Sequence, residues 1–100
     1  MTTRHAVQFR IGDLVQVREG VVSPDFSDIS FAGWTGIVRE ISTKRSGTQY
    51  LLEWTEETLR QMPQEYRNRC EQHQLLYSMA CLSEEDLTVP KPAASQGRAA

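Results

Sequence analysis

Two glycine-led segments with alternating apolar side chains constrain the fold of this chain more than any other feature. The first covers residues 12–17, and the second begins at Gly33-Trp34-Thr35-Gly36 and continues through residues 37–41. In an extended strand, successive side chains point to opposite faces, so alternation places one row in a core and the other in water. A glycine where a strand begins lets the backbone turn a corner that a side chain would block. The pattern predicts a small, strongly bent, mainly β fold.

Three strands are predicted in the first half of the chain. We expect them at about residues 14–19, 35–43 and 48–54, with a hairpin turn at Lys44-Arg45-Ser46-Gly47. Alternation predicts one shared interior filled by Val15, Val38, Leu52 and Trp54. The loop at residues 21–32 carries Pro, Ser and Asp between isolated apolar residues, which is typical of a loop held by a few anchors. The expected anchors are Val22, Phe26, Ile29 and Phe31.

After Trp54 the pattern changes to a helical one. Thr55 followed by two glutamates is typical of a helix start, because the hydroxyl caps free N–H groups and the acids meet the positive end of the dipole. Pro63 ends this first helix near residue 62 and suits the first position of a second helix that runs to about residue 73. We therefore predict an inserted helical segment at about 56–73, with Tyr66 and Cys70 on one face. Extended structure is expected again at about 77–82 and 87–89.

The length and composition predict one domain. We expect a flexible leader at residues 1–8, a domain at 9–89 and a disordered tail, rich in Ala, Pro and Ser, at 90–100. The sequence has no apolar run near the length of a membrane span and no hydrophobic signal segment. These features predict a cytoplasmic protein that does not enter a membrane.

The charge distribution disfavours nucleic acid as a partner. The net charge is −2, but three of the 11 basic residues lie in the two tails, so residues 7–89 hold 8 basic groups against 13 acidic ones. This part of the chain therefore carries −5. Nucleic-acid binding depends on cations that neutralise phosphates, and the only adjacent cations are Lys44 and Arg45.

Three strand motifs together resemble a known family pattern. They are Gly12-Asp13-x-Val15-x-Val17, Gly33-x-x-Gly36-x-Val38-x-x-Ile41 and Tyr50-Leu51-Leu52-Glu53-Trp54. The set resembles the SH3-like barrel of KOW-type modules, and is most similar to a family of small, uncharacterised bacterial domains, some of which carry a calcium-binding label. The resemblance implies an SH3-like small barrel of about five strands with the inserted helical segment. The long acidic loop departs from the short basic loop of a KOW module, and the groove motif of eukaryotic SH3 domains is missing, so neither RNA binding nor polyproline binding transfers.

Two groups of residues suggest metal sites. Asp25 and Asp28 lie in one loop, and carboxylate oxygens suit calcium, although the spacing is not that of an EF-hand; both could instead cap turns. Cys70, His73 and Cys81 supply three zinc ligands, whereas a structural zinc site needs four. We expect both cysteines to be reduced, buried and apolar in character, so that no cofactor is required.

The sequence favours an interaction domain over an enzyme. Glu56 and Glu57 point about 100 degrees apart on a helix, which is poor geometry for paired acid–base catalysis, and no phosphate-binding glycine loop is present. Trp34 either plugs the end of the barrel or stands exposed as an anchor for a protein partner, together with Phe26 and Phe31. We therefore hypothesise a non-catalytic protein-interaction module. The alternatives are a calcium- or metal-binding domain using the two aspartates, and a KOW-like RNA or ribosome contact through the adjacent cations. The oligomeric state is left open.

Overall fold

The structure is a computed structural model that describes residues 8–90. The predictions of a flexible leader and a disordered tail therefore lie outside the described residues, except for Gln8 and Pro90. The described chain contains five strands, two α-helices and one short 3-10 helix. In chain order these are β1 (Leu14–Val17), β2 (Thr35–Lys44), β3 (Gly47–Trp54), α1 (Glu56–Gln61), α2 (Gln64–Gln72), β4 (Met79–Ser83), the 3-10 helix (Glu84–Asp86) and β5 (Leu87–Thr88).

The five strands form one antiparallel sheet in the order β4-β3-β2-β1-β5. The mainly β class with a helical insertion is therefore confirmed. Strands β4 and β5 each have one neighbour in this sheet, so the described strands do not close into a barrel. The β2–β3 hairpin turns through Arg45 and Ser46, as predicted, with Lys44 paired to Gly47. Neither described helix is long and apolar enough to cross a bilayer.

The predicted interior is confirmed. Val15, Val38 and Leu52 are completely buried, and Trp54 joins them with 3% of its surface exposed. Side chains alternate between the two faces of β1, β2 and β3, so these four lie on the same face and form one core. A register shift between Val38 and Glu40 interrupts the ladder between β2 and β3. Such a bulge bends its strand, so β2 curves around the core.

Gly36 shows why a glycine is needed where β2 begins. A Cβ atom at this position would lie 3.2 Å from each of the Glu53 carbonyl oxygen, the Leu52 Cβ and the Trp54 ring. These distances are shorter than nine in ten real Cβ contacts, and all three neighbours belong to β3. The close approach of β2 and β3 at this end therefore depends on the missing side chain.

The helical insertion begins and ends close to the predicted boundaries. The Thr55 hydroxyl accepts a hydrogen bond from the Thr58 N–H at 3.3 Å, which caps α1 as expected. Pro63 is the N-cap of α2 and has extended geometry, whereas we had placed it at the first helical position. Tyr66 and Cys70 are both buried and share the inner face of α2, as predicted.

Two predictions about the long β1–β2 connection are wrong in detail. Strand β1 ends at Val17, two residues early, because the residue that faces Arg18, Asp86, belongs to the 3-10 helix and Gly20 turns the chain with a φ of 88°. Val22 is exposed and is held only by a backbone bridge to Ser30, so it is not a core anchor. Its neighbour Val21 packs against the core instead.

Candidate functional site

An apolar groove of about 480 Å³ runs along the edge strand β4. Its lining includes Met79, Ala80 and Cys81 of β4, Leu51 of β3, and Leu75 and Leu76 in the connection between α2 and β4. Among the described residues, Asp25 is the single charged one that lines it, and Tyr66 contributes the aromatic part of the lining. A concave, mostly apolar surface with one charged group is typical of a binding site.

The end of α2 places the two leucines at this groove. Gln74 has a positive φ of 60°, and its N–H donates to the Glu71 carbonyl at 3.2 Å. The Leu75 N–H donates to the Cys70 carbonyl at 2.7 Å, which completes a Schellman motif. The chain therefore leaves the helix in a fixed direction. Leu76 is 71% exposed and Leu75 is 38% exposed.

The backbone of β4 offers hydrogen-bonding groups at its free edge. The Trp54 N–H donates to the Ser78 carbonyl at 2.9 Å. Trp54 and Ser78 are therefore a hydrogen-bonded pair, which determines which of the following β3–β4 pairs are hydrogen-bonded. Ala80 and Leu82 therefore exchange hydrogen bonds with β3, because bonded pairs alternate along an antiparallel pair. The N–H and C=O groups of Met79 and Cys81 point away from β3, and β4 has no second neighbour among residues 8–90.

Tyr66 links the groove to an aromatic cluster below it. Its ring lies 5.5 Å from that of Phe31 and 5.6 Å from that of Trp34, in edge-to-face contacts. Burial raises the pKa of the Tyr66 phenol above its ordinary value near 10, so the ring stays neutral at physiological pH. The phenol therefore adds no charge to this part of the groove.

The three predicted partner-binding aromatics lie in that cluster, mostly below the surface. Phe31 is completely buried, so it has no area to offer a partner. Trp34 is half-buried, stacked on Phe31 with a ring separation of 4.5 Å and in edge contact with Trp54. Phe26 is half-buried between Tyr66 and the ring of His73. The cluster joins the β1–β2 connection to α2 and supports the groove from within.

The two predicted calcium ligands have different surroundings. Asp28 accepts two hydrogen bonds from the Arg69 guanidinium, at 2.7 and 2.9 Å, and these bonds lower the pKa of its carboxyl group. Asp25 lines the groove instead. Within residues 8–90, no group of three or more His, Cys, Asp or Glu side chains is arranged to hold a metal ion.

The predicted zinc residues also have different surroundings. Cys70 is buried, and burial raises the pKa of its thiol, while the ring of His73 lies 5.5 Å from Phe26. Cys81 is exposed on β4, so the prediction that it is buried is wrong; its place in the edge ladder turns it outward. Neither cysteine forms a disulfide.

Lys44 and Arg45 lie at the tip of the β2–β3 hairpin. They line a second depression together with Arg18, but Glu84 and Glu85 line it as well. The local charge is therefore mixed. Such a surface is poorly suited to phosphate, which requires an excess of cations.

Sequence reasoning did not identify Leu75 and Leu76. Both lie between a helix whose exposed face is strongly polar and an edge strand. Neither the helical nor the strand period of apolar residues therefore includes them. Two adjacent leucines outside any amphipathic pattern were the available signal. Their meeting with β4 depends on the tertiary fold.

Comparison of the chain with protein-family models, curated proteins and solved structures gives no match. The function of the groove is therefore argued from its lining, its backbone groups and its charge.

Proposed function

We propose that this domain is a non-catalytic protein-interaction module and that the groove beside β4 receives the partner. The observation that carries the proposal is the exposure of Leu76 and Leu75 beside a strand edge with free backbone groups. Apolar side chains fixed on a surface by a helix cap lose little conformational entropy when a partner covers them. A protein partner can also satisfy the edge of a sheet, which a small apolar ligand cannot do.

The surroundings of the nucleophilic side chains support a non-catalytic role. A reactive cysteine needs a lowered pKa and a nearby base, whereas burial raises the pKa of Cys70. The exposed Cys81 thiol lies 3.7 Å from the Gln49 amide oxygen, which is not a base. His73 packs against Phe26, where its ring serves as a packing surface.

We further propose that the sheet has the strand arrangement of an SH3-like barrel in an open form, in which the edge strands β4 and β5 do not pair with each other. The bent strand β2 pairs with β1 through its first residues and with β3 along its whole length. Pairing of β5 with β1 adds the last strand to the far side of the sheet. This arrangement fits the resemblance to small SH3-like bacterial domains. The predicted cytoplasmic location stays a prediction.

The two alternative functions have less support. Calcium binding at Asp25 and Asp28 would require Asp28 to leave the Arg69 guanidinium, which already neutralises its charge. RNA binding through Lys44 and Arg45 would place phosphates beside Glu84 and Glu85. A protein partner at the β4 groove meets neither obstacle.

Site-specific photo-crosslinking in the cells that naturally produce the protein tests the interaction proposal. A benzoylphenylalanine at position 76 is expected to give a discrete adduct with another protein. Ile11, which is 62% exposed and lies three residues before β1, a strand separated from β4 by β3 and β2, is the matched control position and should give no such adduct. Leu75→Ser should weaken the adduct at position 76. Equal adducts at both positions, or none at either, would contradict the proposal.

A further inference from the structure

We infer that the groove binds an extended, basic and apolar peptide segment of another protein, which pairs with β4 as an added strand. The inference rests on the proposed interaction function and specifies its partner. Backbone groups, side-chain pockets and charge each support it separately.

The first argument comes from the edge of β4. Met79 and Cys81 are two residues apart, so their outward N–H and C=O groups repeat at about 6.8 Å, the spacing of alternate residues in a strand. An extended peptide presents its own groups at the same interval. Proteins usually protect an exposed edge with charged residues, proline or a bulge. The β4 sequence Met-Ala-Cys-Leu-Ser has no charge or proline, and its register with β3 is regular.

The lining of the groove offers apolar contacts beside this edge. Leu51 lies beside Cys81 across the ladder, and Leu75 and Leu76 line the same groove. A strand laid along β4 would direct every second side chain toward these residues. The groove therefore selects a peptide with apolar side chains at alternating positions, as in other cases of strand addition.

Charge distinguishes a foreign peptide from a second copy of this chain. Within residues 8–90, Asp25 is the single charged residue in the lining, and this part of the chain carries 8 basic against 13 acidic groups. A lysine or arginine in the peptide would be attracted by this negative charge. Residues 74–83, which a second copy would bring to the groove, contain no lysine or arginine. A second copy would therefore add another Asp25 without a cation to match it.

Peptide binding to the full chain tests the inference. The probe is a fluorescent heptapeptide with lysine at both ends and alternating valine and threonine between them. Fluorescence anisotropy should show saturable binding. Methylation of the internal backbone nitrogens should weaken binding at least tenfold, since the peptide then lacks its N–H donors. Replacement of both lysines by glutamate should weaken it by a similar factor.

Variants of the protein locate the binding site. Leu76→Ser and Asp25→Asn should each weaken binding of the lysine peptide several-fold, and Asp25→Asn should not weaken binding of the glutamate peptide. Ile11→Ser is the exposed apolar control and should leave the affinity unchanged. A circular dichroism spectrum identical to that of the parent protein shows that each variant is folded.

Three results would overturn the inference. They are the absence of saturable binding at millimolar peptide, equal binding of the methylated peptide, and a dimer in sedimentation experiments that Leu76→Ser dissociates. The last result would identify a second copy as the occupant. If position 76 still crosslinks to a partner while the peptides fail to bind, the interaction function stands and strand addition is wrong.

Discussion

The Arg69 guanidinium donates to both carboxylate oxygens of Asp28, at 2.7 and 2.9 Å, and so ties the β1–β2 connection to α2. Arg69 also pairs with Glu65 one turn earlier and lies over the Phe26 ring, 5.6 Å from its centroid. One side chain thus holds two segments that are 41 residues apart in the sequence.

Asp28→Asn should lower the midpoint of thermal unfolding at neutral pH, because it breaks the charge-assisted pair with Arg69. The pair lowers the pKa of Asp28 in the folded state, whereas the unfolded value is about 3.9. Its contribution is therefore present above about pH 4 and is lost as pH falls through the folded-state value. The parent and variant midpoints should converge in acid and in high salt. A constant difference across pH would contradict this origin.

Gln74→Gly should raise the free energy of unfolding by up to about 1 kcal/mol, because glycine adopts a positive φ without the steric cost of a Cβ. Gln72→Gly is the matched control. It is the last helical residue of α2, where φ is negative, and should lower the free energy of unfolding by up to about 1 kcal/mol. Urea denaturation measures both. Loss of stability in both variants would show that the Gln74 side chain, rather than its φ, determines the effect.

Gly36→Ala should destabilise the protein by about 1–3 kcal/mol, since the new methyl group would crowd the Glu53 carbonyl and the Trp54 ring. Gly20→Asn is the comparison, because Gly20 has a positive φ but no neighbour within 4 Å, and asparagine tolerates that backbone geometry. Chemical denaturation should show a much smaller loss for this variant. Similar losses would indicate that crowding is not the cause at Gly36.

Tyr50→Phe should lower the free energy of unfolding by about 1–2 kcal/mol. The Tyr50 hydroxyl donates to the Glu84 carboxylate at 2.7 Å and accepts from the Phe9 N–H at 3.2 Å, so its removal leaves a buried donor unpaired. Hydrogen exchange at Phe9 should accelerate. Tyr77→Phe keeps the ring beneath the Arg67 guanidinium and serves as the control. Unchanged exchange at Phe9 would rule out the proposed role of the hydroxyl.

Cys81 should react with iodoacetamide in the folded protein, and Cys70 should react only after unfolding in urea. Cys81 is exposed, while burial both shields Cys70 and raises the pKa of its thiol, which lowers the reactive thiolate fraction. Mass spectrometry of labelled peptides distinguishes the two sites. The lysine peptide should protect Cys81. Rapid labelling of Cys70 under native conditions would show that α2 opens readily.

Local patterns explain which parts of the fold were predictable. Val15, Val38 and Leu52 follow the period of a strand, and Thr55 and Pro63 mark helix ends through their own chemistry, so neighbouring residues contain the necessary information. These predictions are confirmed, except that Pro63 is the N-cap of α2 and not its first helical residue. The register shift in β2 and the early end of β1 depend on segments distant in the chain, which no short window of sequence contains.

The groove depends almost entirely on tertiary structure. Leu75 and Leu76 gain significance only because β4 is an edge strand, and strand order follows from how all five strands assemble. The pairing of Asp28 with Arg69 was equally inaccessible, because each residue alone has the sequence context of an ordinary surface charge. Proximity in sequence suggested a shared role for Asp25 and Asp28, whereas in the fold Asp28 pairs with Arg69 and Asp25 lines the groove.

The helical insertion also has a consequence for the order of folding. The β2–β3 hairpin closes through two residues, whereas β4 must return across the whole segment between Trp54 and Met79 before it can pair with β3. Closing a long loop costs more entropy than closing a short one, and short helices form on faster time scales. We therefore expect β4 to be the last strand to dock on this hairpin, so the free edge of β4 forms only after the chain that contains α1 and α2 has been made.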